Sequence, residues 1–214
     1  MRMEFRPHDL LWLANGAARK FRPLSGVLPA WAGHSLQCGH PVVVRRACAP
    51  RGQIAVGVRG TSRAERLAGF VCCADVVRYM VPPALRLCAP RASRTGLAVM
   101  QAWEDLRGSL DIPYEWGPAG SCAYELATGY DTVSAASDLD LVLYADAPVA
   151  RNDARELLGK FSHPACRCDV QMMTSLGGLA LAEWARGDQR ILLKTSQGPV
   201  LTEDPWRQQE EPDS

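Results

Sequence analysis

Residues 137–143 read Ser-Asp-Leu-Asp-Leu-Val-Leu, and no other stretch of the chain restricts its fold so tightly. The alternation predicts a strand over 137–145, in which residues two apart share a face. Asp138 and Asp140 then lie side by side, with Leu139, Leu141 and Leu143 on the opposite face. The leucines require a core beneath the sheet. The carboxylates repel each other, so their face is either a charged edge that discourages aggregation or a site for a cation.

The flanking sequence supplies that core. SRTGLAVMQAWEDLRGSL (93–110) reads as a helix with Ser93 as cap and Leu97, Met100, Trp103 and Leu106 at near-helical spacing. PYEWGPAGS (113–121) suits a strand ending in a turn, and CAYELATG after it can start a helical turn. Helices are predicted over 147–161 and 176–188, and strands over 166–174 and 190–196. Helices thus alternate with strands, the pattern of an α/β (α+β) domain around a small mixed sheet.

Ahead of this region, VPPALRLCAPRAS (81–93) carries three prolines that break regular structure. It divides the chain into segments 1–90 and 91–214. In the first, HPVVVRRA (40–47) and GQIAVGVRG (52–60) read as strands joined by Ala-Pro-Arg-Gly. SRAERLAGFVCCADVVRYM (62–80) reads as a helix opened by a Ser62–Glu65 capping box, with Cys72 and Cys73 as small buried hydrophobes. The polar tail QQEEPDS suits disorder.

Charge follows the same division. Residues 1–110 hold 15 Arg and one Lys against six acids, a balance of +10, and residues 111–214 balance at −9. A basic half beside an acidic half suggests two lobes with a cleft, one lobe drawing in an anion. With 47% hydrophobic residues, no apolar run of membrane-spanning length and no convincing signal peptide, the chain reads as a cytoplasmic globular protein, its eight cysteines reduced. The six tryptophans are dispersed and form no base-stacking platform, which speaks against nucleic acid as a partner.

Candidate chemistry falls at separate places. Gly120-Ser121 ends a predicted strand before a helical turn, where backbone N–H groups can meet a phosphate. GPAGSC lacks the Gly-Lys-Ser/Thr ending of a Walker loop. Asp138 and Asp140 are hard oxygen ligands suited to Mg²⁺. Asp169, in CRCDVQMM, completes a carboxylate triad if its strand neighbours theirs, and can accept a nucleophile's proton. Arg45 and Arg46 end one predicted strand; strict alternation would turn only one of them to a given side. Arg59 ends the next, and Lys194 lies in LLKTSQGP. All are candidates for phosphate binding, with salt bridges or surface snorkelling as the plainer readings. His163, Cys166 and Cys168, and likewise His34, Cys38 and His40, fall short of a recognised zinc set.

The order Gly-Ser turn, Asp-x-Asp strand, helix, strand with one central acid resembles the nucleotidyltransferase superfamily with its DNA polymerase β-like fold. Sixteen residues separate Ser121 from Asp138, which implies an expanded loop. More narrowly, PVVVRRA, GPAGSCAYELATG, SDLDLVL, CDVQMM, LALAEWARG and LLKTSQGPVLTEDPW resemble the phosphoribosyl-dephospho-CoA transferase family of the malonate decarboxylase system. That resemblance implies a holo-acyl-carrier-protein synthase with a small basic N-terminal α+β domain for donor or carrier binding. It implies transfer of phosphoribosyl-dephospho-CoA from 2′-(5″-triphosphoribosyl)-3′-dephospho-CoA to a serine of the malonate decarboxylase acyl carrier protein subunit, with release of pyrophosphate. It assigns Mg²⁺ to Asp138 and Asp140, assistance to Asp169, and phosphate contacts to Gly120, Ser121, Arg45, Arg46 and Lys194. A nucleotidyltransferase using a common nucleoside triphosphate, or a non-catalytic binding protein on the same frame, would share these residues.

Overall fold

A computed structural model of the chain describes residues 4–62 and 64–207; the polar tail from 208 lies outside them. Two six-stranded sheets face each other, and the fold is α+β. The N-terminal sheet contains β1 (Leu10–Leu13), β2 (Arg22–Pro23), β3 (Val42–Val44), β4 (Gln53–Arg59), β5 (Arg66–Cys72) and β6 (Val76–Met80), in the order β2-β5-β4-β3-β1-β6. Every pairing in it is antiparallel. Helix α1 (Ala30–Gln37) covers one face, with Ala32 and Leu36 packed among Val42, Val44, Ile54, Val56 and Val58.

The helix expected over 62–80 is instead β5, a short 3-10 turn and β6. The capping-box contact is real, since the Ser62 N–H donates to Glu65 Oε2 at 2.9 Å, but it closes the β4–β5 hairpin rather than opening a helix. Seven residues of β5 pair in unbroken register with β4, and Val71, Val76 and Tyr79 favour a pleated surface. Cys72 and Cys73 are exposed, not buried, because the hairpin end carries them outward.

The connector forms 3-10 turns at Pro82–Leu87 and Ala92–Arg94. Helix α2 (Ala98–Ser109) then starts later than the sequence suggested, with Leu97 rather than Ser93 at its N-cap. Its Met100, Trp103 and Leu106 enter the main core as the spacing required. The C-terminal sheet contains β7 (Trp116–Pro118), β8 (Leu139–Tyr144), β9 (Cys168–Met173), β10 (Gly178–Ala180), β11 (Ile191–Thr195) and β12 (Gly198–Thr202), in the order β12-β11-β10-β9-β8-β7. Only β8 and β9 pair in parallel, linked through helix α4 (Arg151–Lys160); the other pairs are antiparallel. The helix expected over 176–188 divides into β10 and the short helix α5 (Leu181–Arg186). Strand β11 is followed by a hairpin partner, β12, rather than ending the fold.

Leu139, Leu141 and Leu143 of β8 join Val170 and Met172 of β9 in the core with α2 and α4 residues. The other face of these strands carries Asp140, Val142 and Tyr144 beside Asp169, Gln171 and Met173, and it turns toward the N-terminal sheet. Helix α3 (Gly120–Thr128) wedges the two sheets apart. Its Ala123 and Tyr124 pack against Leu10 of β1 and Val43 of β3.

Candidate functional site

The gap beside that wedge is a cleft of about 1170 Å³ between the sheets. One wall carries Arg45 and Arg46 just after β3, with Arg59 and Arg66 from β4 and β5; the other carries Asp140, Arg167, Asp169, Gln171 and Lys194, with Gly120 at one end. The N-terminal wall is therefore basic, while the C-terminal wall sets Asp140 and Asp169 beside Arg167 and Lys194. Arg45 and Arg46 both line the cleft because β3 ends at Val44, so strand alternation no longer separates them.

Parallel pairing sets Asp140 opposite Asp169, residue for residue. Asp140 is exposed toward the cleft, and Asp169 accepts from Arg167 Nη2 at 2.9 Å. Asp138 is half-buried just ahead of β8, and like Ser121 it adjoins residues of the cleft wall without being one of them. Among the described residues no three His, Cys, Asp or Glu side chains converge as a metal cage, which also disposes of both zinc sets. The carboxylates thus form a register pair with a neighbour, not a closed triad.

Gly120 shows how closely this end is built. Its φ is +58°, a conformation that L side chains rarely adopt, and it begins α3. A Cβ there would run into the Asp140 carboxylate. The Ala119 N–H donates to the Asp140 carbonyl at 2.8 Å, fastening the helix start to the strand. The first-turn N–H groups of a helix have no partner within it, so α3 presents donors beside Asp140. Mg²⁺ takes one or two protein carboxylates and leaves its other positions to water and phosphate. Asp140, exposed toward the cleft with Asp138 two residues ahead of it and Asp169 opposite it in register, fits that demand.

Three contributors were not singled out from sequence. Glu125, 3% exposed, clamps the long connection to β8. It accepts from Arg94 Nε at 2.7 Å and from the Thr132 and Val133 N–H groups at 2.8 Å. Burial pushes its carboxyl up, but the Arg94 bonds and the two N–H groups outweigh this and hold it below its ordinary value. The Thr132 hydroxyl in turn donates to the Ser121 carbonyl at 2.8 Å. His8 and Gln171 meet across the cleft, Nε2 to Oε1, at 2.8 Å. Gln171 had a legible signal, standing two residues after Asp169 and so on the same face. His8 had none, because its place depends on a fold-level turn with φ +78°.

The family model described as phosphoribosyl-dephospho-CoA transferase MdcG N-terminal domain matches residues 6–82. The corresponding C-terminal domain model matches residues 84–205. A phosphoribosyl-dephospho-CoA transferase of Pseudomonas putida (strain W619) is 46% identical over 202 residues, covering 94% of this chain and 95% of that protein. Its counterpart in Pseudomonas aeruginosa PAO1 is 43% identical over 202 residues, covering 94% and 93%. That of Azotobacter vinelandii is 39% identical over 214 residues, covering 95% of each. No solved structure gives a significant match.

Proposed function

The chain belongs to the phosphoribosyl-dephospho-CoA transferase family, and from that premise we propose that it moves the phosphoribosyl-dephospho-CoA group from 2′-(5″-triphosphoribosyl)-3′-dephospho-CoA onto a serine of the malonate decarboxylase acyl carrier protein, releasing pyrophosphate. The observation that carries this reading is the cleft itself, in which Asp140 and Asp169 face a wall of arginines with a helix start at one end. We read the C-terminal part, residues 91–214, as a nucleotidyltransferase-like catalytic domain and residues 1–90 as the domain that binds donor or carrier. Eight unpaired thiols suit a reducing cytoplasm, and no described helix is long and apolar enough to cross a membrane.

Asp138 and Asp140 would hold Mg²⁺, whose charge neutralises phosphate oxygens during an in-line displacement. Gly120 and Ser121 bind the pyrophosphate end through N–H groups of the first turn of α3. Arg45, Arg46 and Lys194 meet the donor's phosphates; the guanidinium fork suits paired oxygens. Asp169 accepts the proton of the attacking serine, its carboxylate steered by Arg167.

Continuous detection of pyrophosphate tests this. Release that requires both the triphosphoribosyl donor and the carrier subunit, and that fails with Asp140→Asn, supports the reading. Carrier-independent release, or equal release from a common nucleoside triphosphate, would reject it.

A further inference from the structure

A second polar cluster lies along the cleft from the carboxylate pair. Arg46 is partly buried, and its guanidinium donates to Gln171 Oε1 at 3.2 Å and meets Met173 Sδ at 2.9 Å. Both partners are neutral, and no carboxylate pairs with Arg46 among the described residues. The guanidinium rests on Gly178, where any side chain would collide with it. Lys194 stands opposite Gly178 in the β10–β11 ladder, so it shares the face on which Arg46 rests, and its charge acts on His8. His8 completes the group. Arg46 can only donate, so the shared Gln171 atom is the carbonyl oxygen and His8 Nε2 carries a proton toward it.

Withdrawing a cation from water without an acid is unfavourable. Burial does depress the Arg46 pKa, and burial first, then Arg46 and Lys194, lower that of His8. His8 is also held at φ +78°, a second cost at the same spot. Three donors, a matched glycine and a strained turn are thus assembled at a part of the cleft where, among the described residues, no carboxylate pairs with Arg46.

Their position selects the ligand group. Gln171 and Met173 follow Asp169 on the same face of β9, about 7 and 13 Å along the strand. In the donor, two linked ribose rings separate the reacting phosphorus from the diphosphate that joins adenosine to pantetheine, a span on the order of 10 Å. We propose that Arg46, Lys194 and His8, aligned by Gln171, form the subsite for the diphosphate bridge of the dephospho-CoA half of the donor, leaving the triphosphate to the Gly120–Asp140 end. This deepens the transferase reading and rests on it.

Calorimetric titration of the full chain separates the two ends. The probes are 3′-dephospho-CoA, which has the bridge alone, and inorganic tripolyphosphate with Mg²⁺. Arg46→Met and Lys194→Met each raise the Kd for dephospho-CoA roughly 10- to 100-fold, the worth of one or two charge-assisted hydrogen bonds. Both leave tripolyphosphate binding unchanged. Arg46→Met also melts at or above the wild-type temperature, because a partly buried cation with no carboxylate partner is gone; a merely structural arginine would lower it. Lys194 is exposed, so its variant folds regardless of the outcome at Arg46. Losses confined to tripolyphosphate would overturn the proposal and assign the cluster to the leaving group. Unaltered dephospho-CoA binding in both variants would overturn it while sparing the transferase reading. A wild-type protein that binds a common nucleoside triphosphate but not dephospho-CoA would reject both.

Discussion

Replacing Gly120 by alanine tests the claim that the helix start and the Asp140 carboxylate are built as one unit. The substitution meets two separate penalties. At φ +58° an L side chain costs about 1–2 kcal/mol. The new Cβ also occupies the space of the Asp140 carboxylate, which must leave its rotamer at a further cost of about 0.5–1.5 kcal/mol. A total of ~1.5–3.5 kcal/mol lowers Tm by roughly 3–14 °C for a chain of this size. More telling is activity, since displacing a reacting group by about 1 Å can cost ~100-fold in rate. Gly129 provides the control. It ends α3 at φ +76°, yet a Cβ there meets nothing within 4 Å. Gly129→Ala therefore loses stability through its backbone alone and keeps its transfer rate. Thermal melts and carrier-modification rates on both variants decide the matter. Equal rates for Gly120→Ala and Gly129→Ala would refute the reasoning, whatever their melting temperatures.

Asp138→Ala and Asp140→Ala fold normally and lose transfer by roughly a thousandfold, about 4 kcal/mol of transition-state stabilisation; folded variants with near wild-type rates would remove the metal assignment. Glu125→Gln destabilises the protein by ~2–3 kcal/mol at pH 7, because it weakens a buried charged clamp on Arg94. The Glu125 carboxyl titrates below its ordinary 4.5, so its contribution is complete above that pH and fades as pH falls through the lower folded value. Wild type and variant should converge in acid melts once the pH has fallen through that lowered value. Asp9 has the opposite sign. It is 2% exposed with Oδ1 unpartnered, and burial raises its pKa to about 6. Its penalty of about 2–3 kcal/mol is full above pH 6 and gone below its ordinary 3.8. Asp9→Asn should raise Tm at pH 8 and leave it unchanged near pH 3.5.

Legibility in the sequence tracked how local each signal was. The Asp140 strand, its leucine face and the Asp169 strand were readable, because period-two alternation needs no knowledge of the partner. Parallel register then set Asp140 opposite Asp169, a step that only pairing could supply. The segment 62–80 reads as a helix from sequence because the capping-box residues satisfy the same N–H in a hairpin turn as in a helix. Pairing with β4 across seven residues overrode the local pattern. Likewise 176–188 holds too few residues of one period, and β10 takes its first part to cover β9. Strand β1 and His8 were missed for another reason. RPHDLLWL carries no alternation of its own and becomes a strand only between β3 and β6. Arg45 and Arg46 were found, but their joint access to the cleft depended on where β3 stops.

Intact mass of the malonate decarboxylase acyl carrier subunit, after incubation with this protein, Mg²⁺ and the triphosphoribosyl donor, tests the central claim most directly. ATP, CTP and GTP run in parallel as competing donors. The account predicts a mass gain equal to the phosphoribosyl-dephospho-CoA group, on one serine, abolished by EDTA. A nucleotidyl gain from a common triphosphate, or no gain from any donor, would contradict it.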